Sequence, residues 1–242
     1  MVMEYVNEEN FWYFCDAFTS LDNALSILDS ILIRYNESTG LLDRMVVSSR
    51  VNGFANVMTY AGPQIVFVMD ILAPNGSDAL STCTMMRLKD QADLPPMLWI
   101  NLHSPSLDLP QRIEIPLRYL IRGMPSLKGT HMVYLHAVEI NEDKKFVYYG
   151  RTKRGWMKRF NEHVRLAMKG SNRKFPALYG QAITNRYKQL LGLLPLDKNL
   201  PVYTGSIHVV CLAGASADQA SKGERYLIQK HSLFLDEGMN MV

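Results

Sequence analysis

The chain has few cysteines and no long apolar run, and both shortages exclude classes of protein. Its three cysteines, Cys15, Cys83 and Cys211, are widely spaced. A disulfide framework and a thiolate zinc site both need paired cysteines, so we expect neither. No run of about 18 apolar residues is present, and we therefore expect no membrane span. The N-terminal segment lacks the basic and apolar regions of a secretory signal, so we expect a cytoplasmic protein.

Motifs for several common chemistries are also missing. The sequence contains no glycine-rich phosphate loop, no nucleotide or flavin fingerprint and no context for a nucleophilic serine or cysteine. Its 242 residues are 48% hydrophobic and 20% charged, which is typical of a folded protein. This length is sufficient for one large domain or two modest ones.

Charge is distributed unevenly along the chain. Residues 1–127 contain eight basic and fourteen acidic residues, a net charge of −6, whereas residues 128–190 carry fourteen and four, a net charge of +10. Residues 191–242 carry a net charge of −1. The basic block indicates a site for a polyanion; the alternative is a solvated basic face. The change of sign coincides with a Gly- and Pro-containing segment at 123–129, so we predict domains at 1–126 and 127–242.

The N-terminal domain is predicted to be α+β. Apolar residues recur at three- and four-residue steps between Phe11 and Tyr35, which predicts a helix. Runs typical of strands follow, with Gly and Pro breakers between them. These runs are Arg44–Val51, Asn56–Tyr60, Gln64–Leu72, Leu80–Leu88, Met97–Leu102 and Arg112–Leu120. We expect a helix that packs on a largely antiparallel sheet.

The C-terminal domain has a different order of predicted elements, β-β-α-α-β-α. A polar turn between two β-like runs indicates a hairpin, and Ser216 with Gln219 forms the pattern of a helix capping box. The predicted elements are strands Met132–Ile140 and Lys145–Gly150, helices Gly155–Met168 and Pro176–Leu194, strand Tyr203–Leu212 and helix Ser216–Phe234.

Four side chains around the hairpin have the chemistry of phosphoryl transfer. Arg159 and His163 are four residues apart and therefore share a helix face. A guanidinium can grip a phosphate through two hydrogen bonds, and an imidazole can transfer a proton. Tyr134 and Tyr148 lie on the hairpin strands, where a hydroxyl near a cation could hold a water molecule or relay a proton. Solvated helix residues and packed strand tyrosines are the ordinary alternatives.

Glu224 is the candidate metal ligand. Its helical neighbours at three- and four-residue spacings include Leu227 and Ile228, which places the carboxylate on an inward-facing apolar stripe. Burial of an unpaired carboxylate is costly, but it is reasonable if the group binds a hard cation such as Mg²⁺. The alternative is an ion pair with Lys222 or Arg225.

These residues resemble the motifs of the GIY-YIG endonuclease superfamily. The spacing from Tyr148-Tyr149-Gly150 to Arg159 and His163 is similar to its second core motif, and Val133-Tyr134 resembles the end of its first. Met132 stands where the first motif has glycine. Three further segments are similar to later family motifs: Phe175–Ile183, Gly223–Ile228 and Asn240. The resemblance covers about residues 130–242 and implies a small three-stranded antiparallel sheet flanked by helices.

The resemblance implies hydrolysis of DNA phosphodiesters with one divalent cation, Mg²⁺ or Mn²⁺. Glu224 would bind the metal, and Tyr134 would act as general base or position the water with support from Tyr148. Arg159 would stabilise the charged transition state, and His163 would orient the water or assist the base. Asn240 would be a supporting residue.

The expected partner is DNA, most plausibly double-stranded. Exposed cations would contact its backbone without reading sequence: Lys153, Arg154, Lys158, Arg165, Lys169, Arg173 and Lys174. The acidic N-terminal domain would serve recognition, regulation, or contact with a protein partner or a second copy. Restriction or defence, mobile-element homing and repair are compatible settings. A non-catalytic nucleic-acid-binding module and an RNA-cleaving nuclease remain as alternatives.

Overall fold

The computed structural model describes residues 3–15, 22–43, 63–72, 80–92, 95–104, 109–142, 144–194, 200–232 and 238–240. The strands expected at Arg44–Val51 and Asn56–Tyr60 lie outside these ranges. In chain order the elements are α1 (Glu8–Cys15), α2 (Asp22–Thr39), β1 (Pro63–Leu72), β2 (Leu80–Ala92), β3 (Met97–Ser104), β4 (Leu109–Pro116), a 3-10 helix (Leu117–Leu120), β5 (His131–Ile140), β6 (Lys144–Thr152), α3 (Trp156–Met168), α4 (Lys174–Leu190), β7 (Tyr203–Ala215) and α5 (Ala217–His231).

The described elements form an α+β protein, so the predicted α+β class is confirmed. The strands of the predicted three-stranded module belong to a larger, seven-stranded mixed sheet. The strand order is β2-β1-β3-β4-β7-β5-β6. Strand β5 is antiparallel to both β6 and β7. Strand β1 is antiparallel to β2 but parallel to β3, so the N-terminal strands are not uniformly antiparallel.

Two compact units make up the chain. The first contains Met1–Leu102 with Ile113–Lys128, and the second contains His103–Arg112 with Gly129–Val242. Our sequence-based boundary near residue 126 divides the chain at a single point. The observed division also passes through β4, whose first residues belong to the second unit.

The N-terminal helices bury one apolar stripe each. Phe11 and Phe14 of α1 and Leu25, Leu28 and Leu32 of α2 are buried, as the three- and four-residue spacing predicts. The single helix expected from Phe11 to Tyr35 is observed as two helices.

Strand β4 ends at Pro116 and a 3-10 helix follows, which corrects the expected strand Arg112–Leu120. Proline cannot donate to a strand ladder, and this favours an end to the strand there.

In the second unit, helices cover both faces of the β7-β5-β6 ladder. Val133 packs with Ala215 and Ala220, which places α5 on one face. Tyr134 is the next residue on β5, and its side chain therefore points to the opposite face, where α3 and α4 lie. The predicted capping box of α5 is confirmed, because Ser216 and Gln219 each bond the other's backbone N–H.

Helix α4 begins earlier than expected. It starts at Lys174 rather than Pro176, because proline is tolerated in the first turn of a helix. It ends at Leu190 rather than Leu194. Gly180 brings it close to α3, since a Cβ at this position would lie 2.7 Å from the Ala167 carbonyl oxygen. None of the helices in the described ranges has both the length and the apolar character that a membrane crossing requires.

Asn10 is a buried clamp in the first unit. Its Nδ2 donates to the carbonyl oxygens of Tyr119 and Pro125, both at 3.1 Å, and its Oδ1 accepts from the backbone N–H of Leu127 at 3.0 Å. Asn10→Ala removes these three buried hydrogen bonds, so we expect a loss of about 2–4 kcal/mol in the free energy of unfolding.

Urea denaturation measures this loss. The control is Ser30→Ala, which removes one exposed hydrogen bond to Ser26 and should change stability by less than about 0.5 kcal/mol. Equal midpoints for the two variants would contradict the assignment of Asn10 as a clamp.

Candidate active site

Tyr134 and Gly150 face each other across the β5–β6 hairpin. Tyr134 is 1% exposed, and its ring lies over the backbone of Gly150. A Cβ added to Gly150 would lie 2.5 Å from the Tyr134 Oη and 2.6 Å from its Cζ, closer than real Cβ atoms approach. Only glycine at this position allows the tyrosine ring to occupy its place.

Aromatic contacts surround the next residues of the hairpin. The ring of Tyr148 lies 6.5 Å from that of Tyr134 and packs edge-on against His163 at 4.9 Å. Phe175, from the first turn of α4, stacks on Tyr148 at 5.1 Å and meets His163 at 5.4 Å. The two helices thereby fix both the tyrosine and the histidine.

Arg159 lies one turn before His163 on α3 and joins this cluster electrostatically. Burial raises the pKa of Tyr134 and of Tyr148, while the guanidinium of Arg159 opposes the increase in both. Arg159 also donates from Nη1 to Glu162 at 2.6 Å, and Glu162 contacts Arg154 at 2.6 Å. Burial lowers the pKa of Arg159, but Glu162 and the two tyrosines more than offset this and raise it.

Glu224 brings a carboxylate to the same region from α5. Its side chain is 21% exposed and its Oε2 lies 3.0 Å from Nε of Arg151. The ion-pair partner is thus a β6 residue, whereas Lys222 on its own helix pairs with Asp218 at 2.8 Å. Burial raises the pKa of Glu224, and the charges of Arg151 and Arg159 oppose the increase.

Four of the five sequence-predicted catalytic residues lie together on the face covered by α3 and α4, and Glu224 of α5 is linked to them by its charge. Ring contacts join Tyr134 and Tyr148, and Tyr148 and His163, and the charges of Arg159 and Glu224 act on both tyrosines. Four of these residues come from the consecutive elements β5, β6 and α3, and only Glu224, on α5, comes from a distant part of the chain. A basic guanidinium, a carboxylate, two phenols and an imidazole can together bind a phosphate, orient water and accept a proton.

Protonation states distinguish the roles of the imidazole and the phenol. His163 is 2% exposed, and neither of its ring nitrogens has a hydrogen-bond partner among the described residues. Burial, with the charge of Arg159, lowers its pKa to about 4, so the ring is neutral at physiological pH and can accept a proton. Burial raises the pKa of Tyr134, whose hydroxyl stays protonated there.

A metal would have one protein carboxylate in this site. The described residues include no group of three or more histidine, cysteine, aspartate or glutamate side chains that could enclose an ion. Magnesium commonly uses one or two carboxylates and completes its shell with water and substrate phosphate oxygens. Glu224 fits that mode as a single ligand, and its ion pair with Arg151 leaves the carboxylate charged.

The seven predicted phosphate-contacting cations are all exposed. Two of them also make internal contacts: Arg154 with Glu162, and Lys174 through Nζ with the Gly238 carbonyl oxygen at 2.6 Å. Arg173, which precedes α4, is near enough to oppose protonation of His163. Arg154 and Arg173 therefore lie close to the candidate site.

Asn240 holds the C-terminal segment against β6. Its side-chain amide accepts from the backbone N–H of Tyr149 at 2.9 Å and donates to the Tyr149 carbonyl oxygen at 2.7 Å. Ser232 Oγ contacts the same amide at 3.0 Å. Asn240 thus supports the strand that carries Tyr148, through the backbone of the adjacent residue.

Sequence reasoning did not identify two buried histidines behind the tyrosines. His136 and His208 contact each other through Nδ1 atoms 2.7 Å apart, and Nε2 of His208 lies 3.0 Å from Ser206 Oγ. His136 follows Tyr134 by two residues on the same strand face, so strand periodicity could have indicated it. The contact with His208 depends on strand register and has no local signal.

Comparison with known proteins identifies no relative. No protein-family model matches the chain, and no curated protein or solved structure matches it.

Gly150→Ala tests the close approach of the hairpin strands. The new Cβ would displace the Tyr134 ring, so we expect a loss of about 2–3 kcal/mol of stability, typical of overpacking a buried site. Gly223→Ala is the matched control, since its Cβ would make only ordinary contacts at 3.5 Å or more in the middle of α5. That change should stabilise the protein by about 1 kcal/mol, and destabilisation by both would contradict the proposed packing.

The buried histidines predict a loss of stability in acid. Burial lowers the folded-state pKa to about 4 for His163 and to about 3 for His208, below the ordinary histidine value of 6.5. Unfolding therefore takes up protons as pH falls through 6.5, and stability decreases toward pH 4, with roughly 3 kcal/mol from His163 alone.

Urea midpoints from pH 7.5 to 4 measure this dependence. His163→Asn should flatten the decrease, whereas His131→Asn, at the start of β5 and outside the histidine cluster, should leave it unchanged. Superimposable pH profiles of wild type and His163→Asn would contradict a buried neutral His163.

Proposed function

We propose that this protein is a metal-dependent endonuclease that hydrolyses DNA phosphodiester bonds at a GIY-YIG-type site. The observation that carries the proposal is the grouping of Tyr134, Tyr148, Arg159, His163 and Glu224 around the β5–β6 hairpin. These residues are the ones that the resemblance names as catalytic, and their placement around one hairpin supports the proposal. The antiparallel order β7-β5-β6, with helices on both faces, is also what that type of module requires.

The imidazole of His163 and the phenols of Tyr134 and Tyr148 have different roles toward the attacking water. His163 is neutral and can accept the proton that water loses as its oxygen bonds to phosphorus, although burial, which lowers its pKa to about 4, makes it a weak base. The hydroxyls of Tyr134 and Tyr148 remain protonated and orient the water toward the scissile phosphate. The bond from phosphorus to the leaving 3′ oxygen breaks, and solvent supplies the proton for that oxygen.

Arg159 offsets the negative charge that grows on the phosphate. Its guanidinium is held between the two tyrosines and Glu162, and so it is oriented before substrate binds. Removing one such preorganised donor from an enzyme typically lowers the rate by about 100- to 1,000-fold. Glu162 is the residue that fixes this orientation, and Arg154 fixes Glu162.

Glu224 is the residue that would hold the divalent cation. When bound, Mg²⁺ or Mn²⁺ would polarise the phosphate and offset charge on the leaving oxygen. Burial favours the neutral carboxyl, and Arg151 keeps Glu224 ionised and suited to a cation.

The substrate class follows from charge. The exposed basic residues of α3 and of the segment before α4 would contact phosphates on either side of the cleaved bond. Their contacts add affinity that decreases with salt and carry no base specificity. We assign recognition, regulation or self-association to the acidic N-terminal unit, because its charge opposes DNA binding.

Cleavage of supercoiled plasmid in the presence of Mg²⁺ tests the proposal. Glu224→Gln and Arg159→Lys retain side-chain size, and each should lower the single-turnover rate by at least about 100-fold while DNA affinity changes little. Lys222→Ala, which removes an exposed ion pair on the same helix as Glu224, is the control and should cut at the normal rate.

Three results would contradict the proposal. Binding without cleavage by the wild type would indicate a non-catalytic nucleic-acid-binding module. Undiminished cleavage by Glu224→Gln would place the catalytic centre elsewhere. Cleavage of RNA but not DNA would change the substrate class.

A further inference from the structure

An edge segment, Gly238–Asn240, covers the outer edge of the catalytic hairpin. Strand β6 lies at the end of the seven-stranded sheet, and β5 pairs with its inner edge. At the outer edge, Gly238 forms a parallel bridge with Val147, and the backbone N–H of Met239 donates to the Val147 carbonyl oxygen at 2.9 Å. The side chain of Asn240 bonds both the N–H and the carbonyl oxygen of Tyr149.

Tyr148 lies between the two residues that the edge segment holds. Val147 precedes it on β6 and Tyr149 follows it, so these bonds fix the strand on both sides of the Tyr148 backbone. Peptide groups at an uncovered sheet edge bond to water instead and open more readily. The edge segment therefore limits the motion of the backbone that carries this phenol.

Lys174 joins the edge segment to helix α4. It is the first residue of the helix, and its Nζ donates to the Gly238 carbonyl oxygen at 2.6 Å. An ammonium group forms a stronger hydrogen bond than a neutral donor does. Gly238 is itself closely packed, since a Cβ at this position would collide with the carbonyl oxygen of Ser232. The lysine thus bonds to a carbonyl group whose position the packing already restricts.

The next residue of α4 completes a closed ring of contacts around Tyr148. Phe175 follows Lys174, and its ring stacks on that of Tyr148 at 5.1 Å. The edge segment therefore holds the phenol through its backbone, Phe175 holds it through its ring, and Lys174 connects these two contacts. Phe175 also meets His163 at 5.4 Å, so a shift at the start of α4 would disturb both catalytic rings.

We propose that Lys174 is a positioning residue for Tyr148, which contributes to cleavage through the edge segment rather than through a phosphate contact. This inference changes the role that the sequence suggested for Lys174 as one of the DNA-contacting cations. Its catalytic part rests on the proposed function. Its structural part, the docking of the edge segment by the ammonium group, does not depend on any activity.

Amide hydrogen exchange of the full chain, measured by NMR, tests the structural part. The backbone N–H groups of Tyr149 and Met239 are donors in the bonds between β6 and the edge segment, so their exchange reports its docking. Lys174→Met keeps the length of the side chain and removes the donor. It should speed the exchange of these two amides by about three- to tenfold, the effect of one lost hydrogen bond.

Two controls separate this local change from a general loss of stability. Amides of the β5–β7 ladder should exchange in Lys174→Met as they do in the wild type. Lys188→Met makes the same substitution at an exposed position further along α4, outside the seven predicted DNA-contacting cations, and should leave every rate unchanged.

Plasmid binding and single-turnover cleavage test the catalytic part. At saturating DNA, Lys174→Met should lower the rate by about tenfold, because the phenol is no longer held in place. Its affinity for DNA should stay within about twofold of the wild type, with an unchanged dependence on salt. A lost phosphate contact would instead weaken binding, lower the slope of log affinity against log salt by about one, and leave the rate at saturation unchanged. Lys188→Met should match the wild type in both assays.

Asn240→Ala tests the same path from its other end. It removes both bonds to Tyr149, so it should slow cleavage and speed the exchange of the Tyr149 amide as Lys174→Met does. Both substitutions act through one segment, and the rate loss of the double variant should therefore be smaller than the product of the two single losses.

The outcomes distinguish this inference from the proposed function. Wild-type exchange of Tyr149 and Met239 in Lys174→Met, a reduced salt slope at a normal cleavage rate, or two rate losses that multiply fully would overturn the inference even if the protein cuts DNA. A wild type that cuts no nucleic acid would overturn the proposed function and the catalytic part of the inference. Faster exchange in Lys174→Met would still support the docking role in that case.

Discussion

The contact of the Tyr134 ring with the backbone of Gly150 is the constraint on which the candidate site depends. It places the phenol between the two hairpin strands at the point where β6 ends and α3 follows. The antiparallel register then sets Tyr148 opposite His136, so the next aromatic ring falls on the same face. A side chain at Gly150 would move the first ring and disturb every contact that follows from it.

Burial and charge are balanced within this site. The desolvation of Tyr134 and His163 keeps both groups neutral, one as a hydrogen-bond donor and the other as a proton acceptor. The two charged groups, Arg159 and Glu224, each have an oppositely charged partner, which limits the cost of their partial burial. The site thus has neutral groups at its centre and ion-paired charges around them. Such an arrangement can bind a phosphate without leaving a buried charge unpaired.

The interior of the second unit is polar next to the ring of Tyr134, because two histidines are buried there. His136 and His208 occupy opposite positions on β5 and β7, where apolar pairs would pack with less cost. Their mutual hydrogen bond and the hydroxyl of Ser206 satisfy three of the four ring nitrogens, which limits the cost of burying them. Such a network selects one arrangement of its members, and apolar residues of equal volume would not.

The sequence by itself determined the features that depend on near neighbours. The capping box at Ser216, the buried stripe of Phe11 and Phe14, and the α+β class follow from spacing and local hydrogen bonding. Only the tertiary structure decided that Arg151 is the partner of Glu224 and that His136 meets His208. Sheet register and helix packing set these distances across many residues of chain, and no local pattern encodes them.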